Sequence, residues 1–221
     1  MQDKYYNNGW FGRHPGVYEK TDVFMKYLRS KAASRLLAGP KLKILDIATG
    51  TGSQGYEFAL LGHSVIGIDL DLKMLLKAQN KQNERLDLGF LHADVTNMPL
   101  AANQFDMAVI SFAMHDVPQA IGLGLLVEAS RVIKPEGVIY IIDYEEPRFT
   151  AAAKILYRIA LLYESPNFKP FIQTGLKSYW IQTGLEMIQK ERLAWGAVQL
   201  VRLMKSYVSG TGDLFAAVNL E

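Results

Sequence analysis

Ile44-Leu45-Asp46-Ile47-Ala48-Thr49-Gly50-Thr51-Gly52-Ser53-Gln54-Gly55 decides the reading of this chain, because an apolar strand runs straight into a glycine turn that opens a helix. Such a turn lets main-chain N–H groups and a helix N-terminus come close to a bound ligand. Asp46 sits inside the strand rather than after it. A carboxylate there can orient the turn or face a cationic ligand group, and it is unhelpful beside a pyrophosphate.

Outward from the turn, strand-like and helix-like patterns alternate. Upstream, residues 17–37 carry apolar side chains at helical spacing (Val23, Phe24, Tyr27, Leu28, Leu36) and stop at Gly39-Pro40. The pattern predicts strands over 42–47, 64–69, 88–93, 105–114 and 137–143, with helices over 53–61, 72–84 and 118–133. That order implies an α/β fold: a Rossmann-like, doubly wound, mostly parallel sheet with helices on both faces and ligands at the carboxyl ends of its strands. Further on, 151–163 reads as a helix whose only charges, Lys154 and Arg158, share one face, and a second helix is expected over 171–183. Residues 186–193 and 197–205 read as an antiparallel C-terminal strand pair joined at Trp195-Gly196.

Composition narrows the function. At 221 residues and 49% hydrophobic, the chain is long enough for a substantial core and is most economically one domain. It divides into an N-terminal helical lid segment (1–40), a ligand-binding core (41–147), covering helices with the terminal strand pair (148–205), and a tail without assigned role (206–221). A net charge of +2 gives no large basic field, so nucleic acid is not an expected partner. The absence of cysteine removes disulfide and thiolate chemistry and suits a reducing cytoplasm, the expected location. No apolar run approaches the roughly 20 residues of a bilayer span, so no transmembrane segment is expected. Peripheral membrane contact, and a monomeric or homodimeric state, stay open.

Two readings of the turn compete. Gly50, Gly52 and Gly55 satisfy G-x-G-x-x-G, and Asp69 ends the next strand where a ribose-binding acid belongs, which favours a nicotinamide or flavin site. Alternatively, D-x-A-T-G-T-G from Asp46 to Gly52 aligns with the D-x-G-x-G-x-G turn of S-adenosylmethionine-binding proteins. Its first glycine is here Ala48, a small residue that keeps the turn tight without glycine's freedom at positive φ. Later motifs separate the two. Asp94, in H-A-D-V-T, closes the third strand, where its carboxylate can accept from an adenine amino group while the Val95 N–H reaches a ring nitrogen. P-L-A-A-N-Q-F-D-M-A-V-I-S-F-A-M-H follows over 99–115, then E-A-S-R-V-I-K-P-E-G over 128–137.

With these four ordered motifs the chain resembles the class I S-adenosylmethionine-dependent methyltransferases, and it is most similar to the branch of the ubiquinone and menaquinone C-methyltransferases. The resemblance covers 42–147, and the 184–205 pattern fits the terminal strand pair of that fold. It implies methyl transfer from S-adenosylmethionine, leaving S-adenosylhomocysteine, to a small-molecule acceptor: an apolar or aromatic one such as a quinone precursor, or a lipid headgroup amine. By that resemblance Asp69 accepts from both ribose hydroxyls, Leu70 and Met74 line the ribose and adenine side, and Gly50 and Gly52 bring main chain against the methionine moiety. Asp46 fixes the turn and favours the ammonium and sulfonium charges, and the Ser111 backbone faces the amino acid portion.

On the acceptor side, His115 and Asp116 follow the fourth strand at the expected mouth, which makes His115 the candidate for substrate contact or general base. Tyr144, at the end of the fifth strand, borders the same place. Tyr5 and Tyr18 belong to an aromatic-rich N-terminal stretch suited to a lid. Asp116 with Asp143 lacks an identifiable third ligand, so no metal is assigned. The other classes kept in view are an NAD-dependent oxidoreductase using Gly50, Gly52 and Gly55, and a non-catalytic adenosyl-ligand binder.

Overall fold

The computed structural model describes residues 26–34, 40–148 and 150–206. Tyr5 and Tyr18, most of the expected lid and the tail beyond Ser206 lie outside the described residues. Helix α1 is described over 26–34. Then come β1 (Lys43–Ile47), α2 (Ser53–Leu60), β2 (Ser64–Asp69), α3 (Leu72–Gln79), β3 (Leu88–His92), β4 (Phe105–Ser111), α4 (Gln119–Val132) and β5 (Ile133–Tyr144). The chain continues with α5 (Ala151–Tyr163), α6 (Phe168–Thr174), α7 (Lys177–Trp180), β6 (Leu185–Leu193) and β7 (Val198–Lys205).

The strands form one seven-stranded sheet in the order β3-β2-β1-β4-β5-β7-β6. β1 to β5 pair in parallel, while β7 runs antiparallel to both β5 and β6. The order reverses between β1 and β4, and a crevice opens outside the carboxyl ends of the strands at such a switch. The central strands β1 and β4 are buried on both faces, which is why they read as nearly unbroken apolar runs. Leu45, Ile47, Ile68 and Ile110 pack on one face with α4, α6 and α7 through Leu125, Leu126, Phe171 and Tyr179. Ile44, Val65, Met107 and Val109 pack on the other with α1 and α2 through Leu28, Ala32 and Phe58.

Four expected elements differ. The strand over 137–143 begins earlier, at Ile133, and runs to Tyr144. The helix over 72–84 ends at Gln79. The strand over 105–114 stops at Ser111, because Phe112 turns to φ 53° and gives its N–H to the Ile142 carbonyl at 2.7 Å. The helix over 171–183 starts earlier and divides into α6 and α7, since Gly175 takes φ 72° between them.

Candidate active site

The glycine turn between β1 and α2 is held by two carboxylates. Asp46, 1% exposed, accepts from the Thr49 hydroxyl at 2.5 Å and the Gly55 N–H at 2.9 Å through one oxygen. Asp69, at the end of β2, accepts from the Gly50 N–H at 2.7 Å and the Asp71 N–H at 2.8 Å. Burial pushes the Asp46 carboxyl up to about 6, against the Thr49 and Gly55 hydrogen bonds and the Arg29 charge. Burial likewise raises Asp69, against its backbone hydrogen bonds. For Asp46, raised in the folded state, its contribution to stability is lost as pH climbs from about 4 to about 6. The ionised turn is therefore electrostatically burdened, and a cation placed beside it relieves that burden.

The turn needs unusual backbone. Gly50 and Gly52 take φ 55° and 71°. A Cβ on Gly52 would lie 2.6 Å from the Phe90 ring, whereas one on Gly50 would meet nothing within 4 Å. Gly50 thus presents bare main chain to the open side of the turn. Ala48 stands at φ 55° as well, a left-handed position in which an L-residue is strained. Ala48→Gly should raise stability by about 0.5–1 kcal/mol, the relief of roughly 1–2 kcal/mol of strain less the chain entropy that glycine adds. A lower midpoint in urea unfolding would show that the strain is absent.

Asp71 caps α3 by accepting from the Lys73 and Met74 N–H groups at 2.8 and 3.2 Å, which sets half-buried Met74 on the first turn beside Asp69. The Leu70 carbonyl contacts His92 Nε2 at 2.8 Å. Asp94 uses one oxygen to accept from the Thr96 N–H at 2.8 Å and its hydroxyl at 2.7 Å, a local turn that fixes the loop carrying buried Val95. Ser111 ends β4 across the switch point. Its hydroxyl is buried without a hydrogen-bond partner among the described residues, as is Gln54 Oε1 on α2. Buried polar atoms are rarely left unpaired.

His115 does not lie open at the mouth as expected from sequence; it is 2% exposed. The loop after β4 folds inward because Asp143, fully buried on β5, accepts from the Met114, His115 and Tyr144 N–H groups at 3.0, 3.3 and 2.7 Å. Asp143 Oδ1 also lies 2.7 Å from His115 Nδ1, and Glu164 Oε2 lies 3.2 Å from Nε2. The Tyr144 hydroxyl donates to the other Glu164 oxygen at 2.7 Å. Burial alone would lower the His115 pKa, yet Asp143, Asp116 and Glu164 together raise it well above 6.5. His115 is thus an imidazolium donating from both nitrogens, edge-on to Tyr144 and Phe168 at 4.9 and 5.9 Å between centroids.

Asp116 and Asp143 do not converge as a ligand pair, for Asp143 stands against the far nitrogen of the ring. The atoms that approach within 4.8 Å of one another come from His115, Asp116 and Glu164, a set able to hold a divalent cation in place of the proton. Sequence reading missed Glu164. The available signal was its position as the first acid after Glu146, closing a long apolar helix. A separate groove of about 290 Å³, lined by Asp106, Lys134 and Arg202, lies at the opposite, amino end of the strands. There Lys134 and Asp106 pair with each other at 2.6 Å.

Comparison with known proteins agrees with this geometry. A family profile described as "Methyltransferase domain" matches residues 44–137. The chain is 35% identical over 191 residues to a ubiquinone/menaquinone biosynthesis C-methyltransferase of Bdellovibrio bacteriovorus, spanning 81% of this chain and 77% of that protein. It is 27% identical over 223 residues to a demethylmenaquinone methyltransferase of Tropheryma whipplei, spanning 88% and 90%. Among solved structures, a SAM-dependent methyltransferase of Thermotoga maritima matches with a TM-score of 0.67 at 19% identity, over 89% of this chain and 98% of that one. At that identity the likeness speaks for the fold.

Proposed function

From the chain's membership of the class I S-adenosylmethionine-dependent methyltransferases, in the ubiquinone and menaquinone C-methyltransferase branch, we propose that it methylates a small apolar or aromatic acceptor of the quinone-precursor class. One observation carries the choice of cofactor over a dinucleotide. The Gly50 and Gly55 N–H groups, which a pyrophosphate would need, are already given to the Asp69 and Asp46 carboxylates. An acidic turn repels phosphate and suits a sulfonium with an ammonium group.

Asp69 keeps acceptor capacity beyond these main-chain donors, since a carboxylate offers about four lone-pair sites, and it is assigned to the ribose hydroxyls. Leu70 and Met74 flank the sugar and base, with Asp94 and Val95 assigned to the adenine edge. Asp46, Ala48, Gly50, Gly52 and Ser111 border the methionine portion. When bound, S-adenosylmethionine supplies a methyl group already activated on sulfur, so the protein's work is chiefly orientation and exclusion of water.

Phe112, Tyr144 and Phe168 form an edge-to-face aromatic wall, with Tyr144 at 5.5 Å from Phe112 and 5.0 Å from Phe168. This wall suits a flat apolar acceptor. In this arrangement His115 is a positioning residue: both its nitrogens are occupied, and it holds Glu164 and, through Glu164, the Tyr144 hydroxyl. Asp116, half-buried beside it, borders the same acceptor side. His115→Ala should leave S-adenosylhomocysteine affinity within about twofold while kcat falls on the order of tenfold or more, with Tyr144→Phe following the same split. Unchanged turnover in both would remove the assignment. Acceptor class is tested with a labelled methyl donor against quinols, phenols, amines and phospholipids. Label on a quinol or phenol ring is the expected result, and label only on a headgroup amine would move the reading to the lipid acceptor.

A further inference from the structure

Helix α5 is built mostly of apolar residues, yet Ile155, Ile159 and Leu162 stand 58%, 46% and 81% exposed. Spacings of four and three put them on one stripe, while Ala153 and Ala160 face inward, fully buried. The helix's two charges, Lys154 and Arg158, are exposed beside that stripe, and no acid occurs between Glu146 and Glu164. Among the described residues neither cation forms a salt bridge.

A second observation lies next to the helix. The Thr150 hydroxyl, capping α5, donates to the Trp195 carbonyl at 2.8 Å, which ties the β6–β7 turn to the start of the helix. Ala194 and Trp195 take φ 49° and 56°, two successive left-handed L-residues, and the Trp195 indole is nevertheless 66% exposed. A strained turn that holds tryptophan in water, beside an apolar stripe flanked by Lys154 and Arg158, is the pattern of a surface that meets a lipid interface. Neighbouring Arg148 and Arg192 pair with Glu146 and Glu145, which leaves Lys154 and Arg158 as the cations of this face without a salt bridge among the described residues.

We propose that the face formed by α5 and Trp195 docks on an anionic phospholipid bilayer. Its stripe and indole enter the interfacial layer while Lys154 and Arg158 reach acidic headgroups. Charge favours this occupant over a second copy of the chain, because stacking α5 on α5 would bring like charges together. The functional sense of the docking rests on the proposed function, since an apolar acceptor dissolves in that same bilayer. The face also adjoins the site: Tyr157 on α5 packs on Phe168 at 5.7 Å, and Phe168 packs on Tyr144.

The test is co-sedimentation of the full chain with vesicles of phosphatidylcholine, alone or mixed with phosphatidylglycerol, alongside tryptophan fluorescence. The expected result is pelleting with the mixed vesicles, weakened by salt, and a blue shift that Trp195→Phe removes. Lys154→Glu with Arg158→Glu should lower partitioning by about fivefold per charge. Ile159→Asp with Leu162→Asp should abolish it, with S-adenosylhomocysteine affinity and turnover of a water-soluble acceptor unchanged. Absence of pelleting, or equal pelleting of the charge-reversed variant, overturns the proposal. A dimer in sedimentation equilibrium that Leu162→Asp dissociates would assign the face to a second copy and overturn it too. Failure of methyl transfer with pelleting intact would instead strike the proposed function.

Discussion

Asp69→Ala is expected to weaken S-adenosylhomocysteine binding by about 3 kcal/mol, more than a hundredfold in Kd. Two losses add. The first is the pair of charge-assisted bonds assigned to the ribose hydroxyls. The second is the 2.7 Å bond from the Gly50 N–H that fixes the turn against β2. Asp69→Asn, which keeps the shape and one acceptor oxygen, should fall between wild type and alanine. Stability has to be measured beside affinity, because burial raises the Asp69 pKa and removing an ionised buried carboxylate partly offsets the lost bonds. Unchanged affinity in a folded Asp69→Ala protein would remove the residue from the site.

Asp143→Ala is expected to cost about 3–5 kcal/mol of folding stability, the range for breaking a buried ion pair from one side. It would strand His115 Nδ1 and the Met114, His115 and Tyr144 amides in one step. The pH dependence has a definite sign. His115 titrates above 6.5 in the folded protein, so its contribution is complete below that value and is lost as pH rises through the raised folded pKa. Urea unfolding at about pH 6 and about pH 9 should show this fall in the wild type and a smaller one in the variant. Equal stability of the two proteins would mean that the cage contributes nothing to the fold.

Much of this architecture is legible in the sequence because local signals and the sheet agree. Gly62 separates α2 from β2, the apolar runs of β1 and β4 are long enough to announce strands buried on both faces, and β6 and β7 fall where their pattern places them. The glycine turn was legible for the same reason, since a motif confined to residues 44–55 needs no distant partner to be read. Three things resisted. The positive φ of Ala48 contradicts its residue type, and only the close course of the turn beside β2 imposes it. Phe112 ends β4 early through a bond to Ile142 on β5, which no local pattern reveals. The cage around His115 joins residues 28 and 49 positions apart, so the partnership of Glu164 with His115 has no local signal, while His115 and Asp143 stand out by type alone.

The most direct test of the account is calorimetric titration of the full chain with S-adenosylmethionine, S-adenosylhomocysteine, NAD and NADH in turn. Tight binding of both adenosyl compounds, lost in Asp69→Ala, with no heat from either dinucleotide is the expected result. Tight binding of NAD or NADH with neither adenosyl compound bound would contradict it.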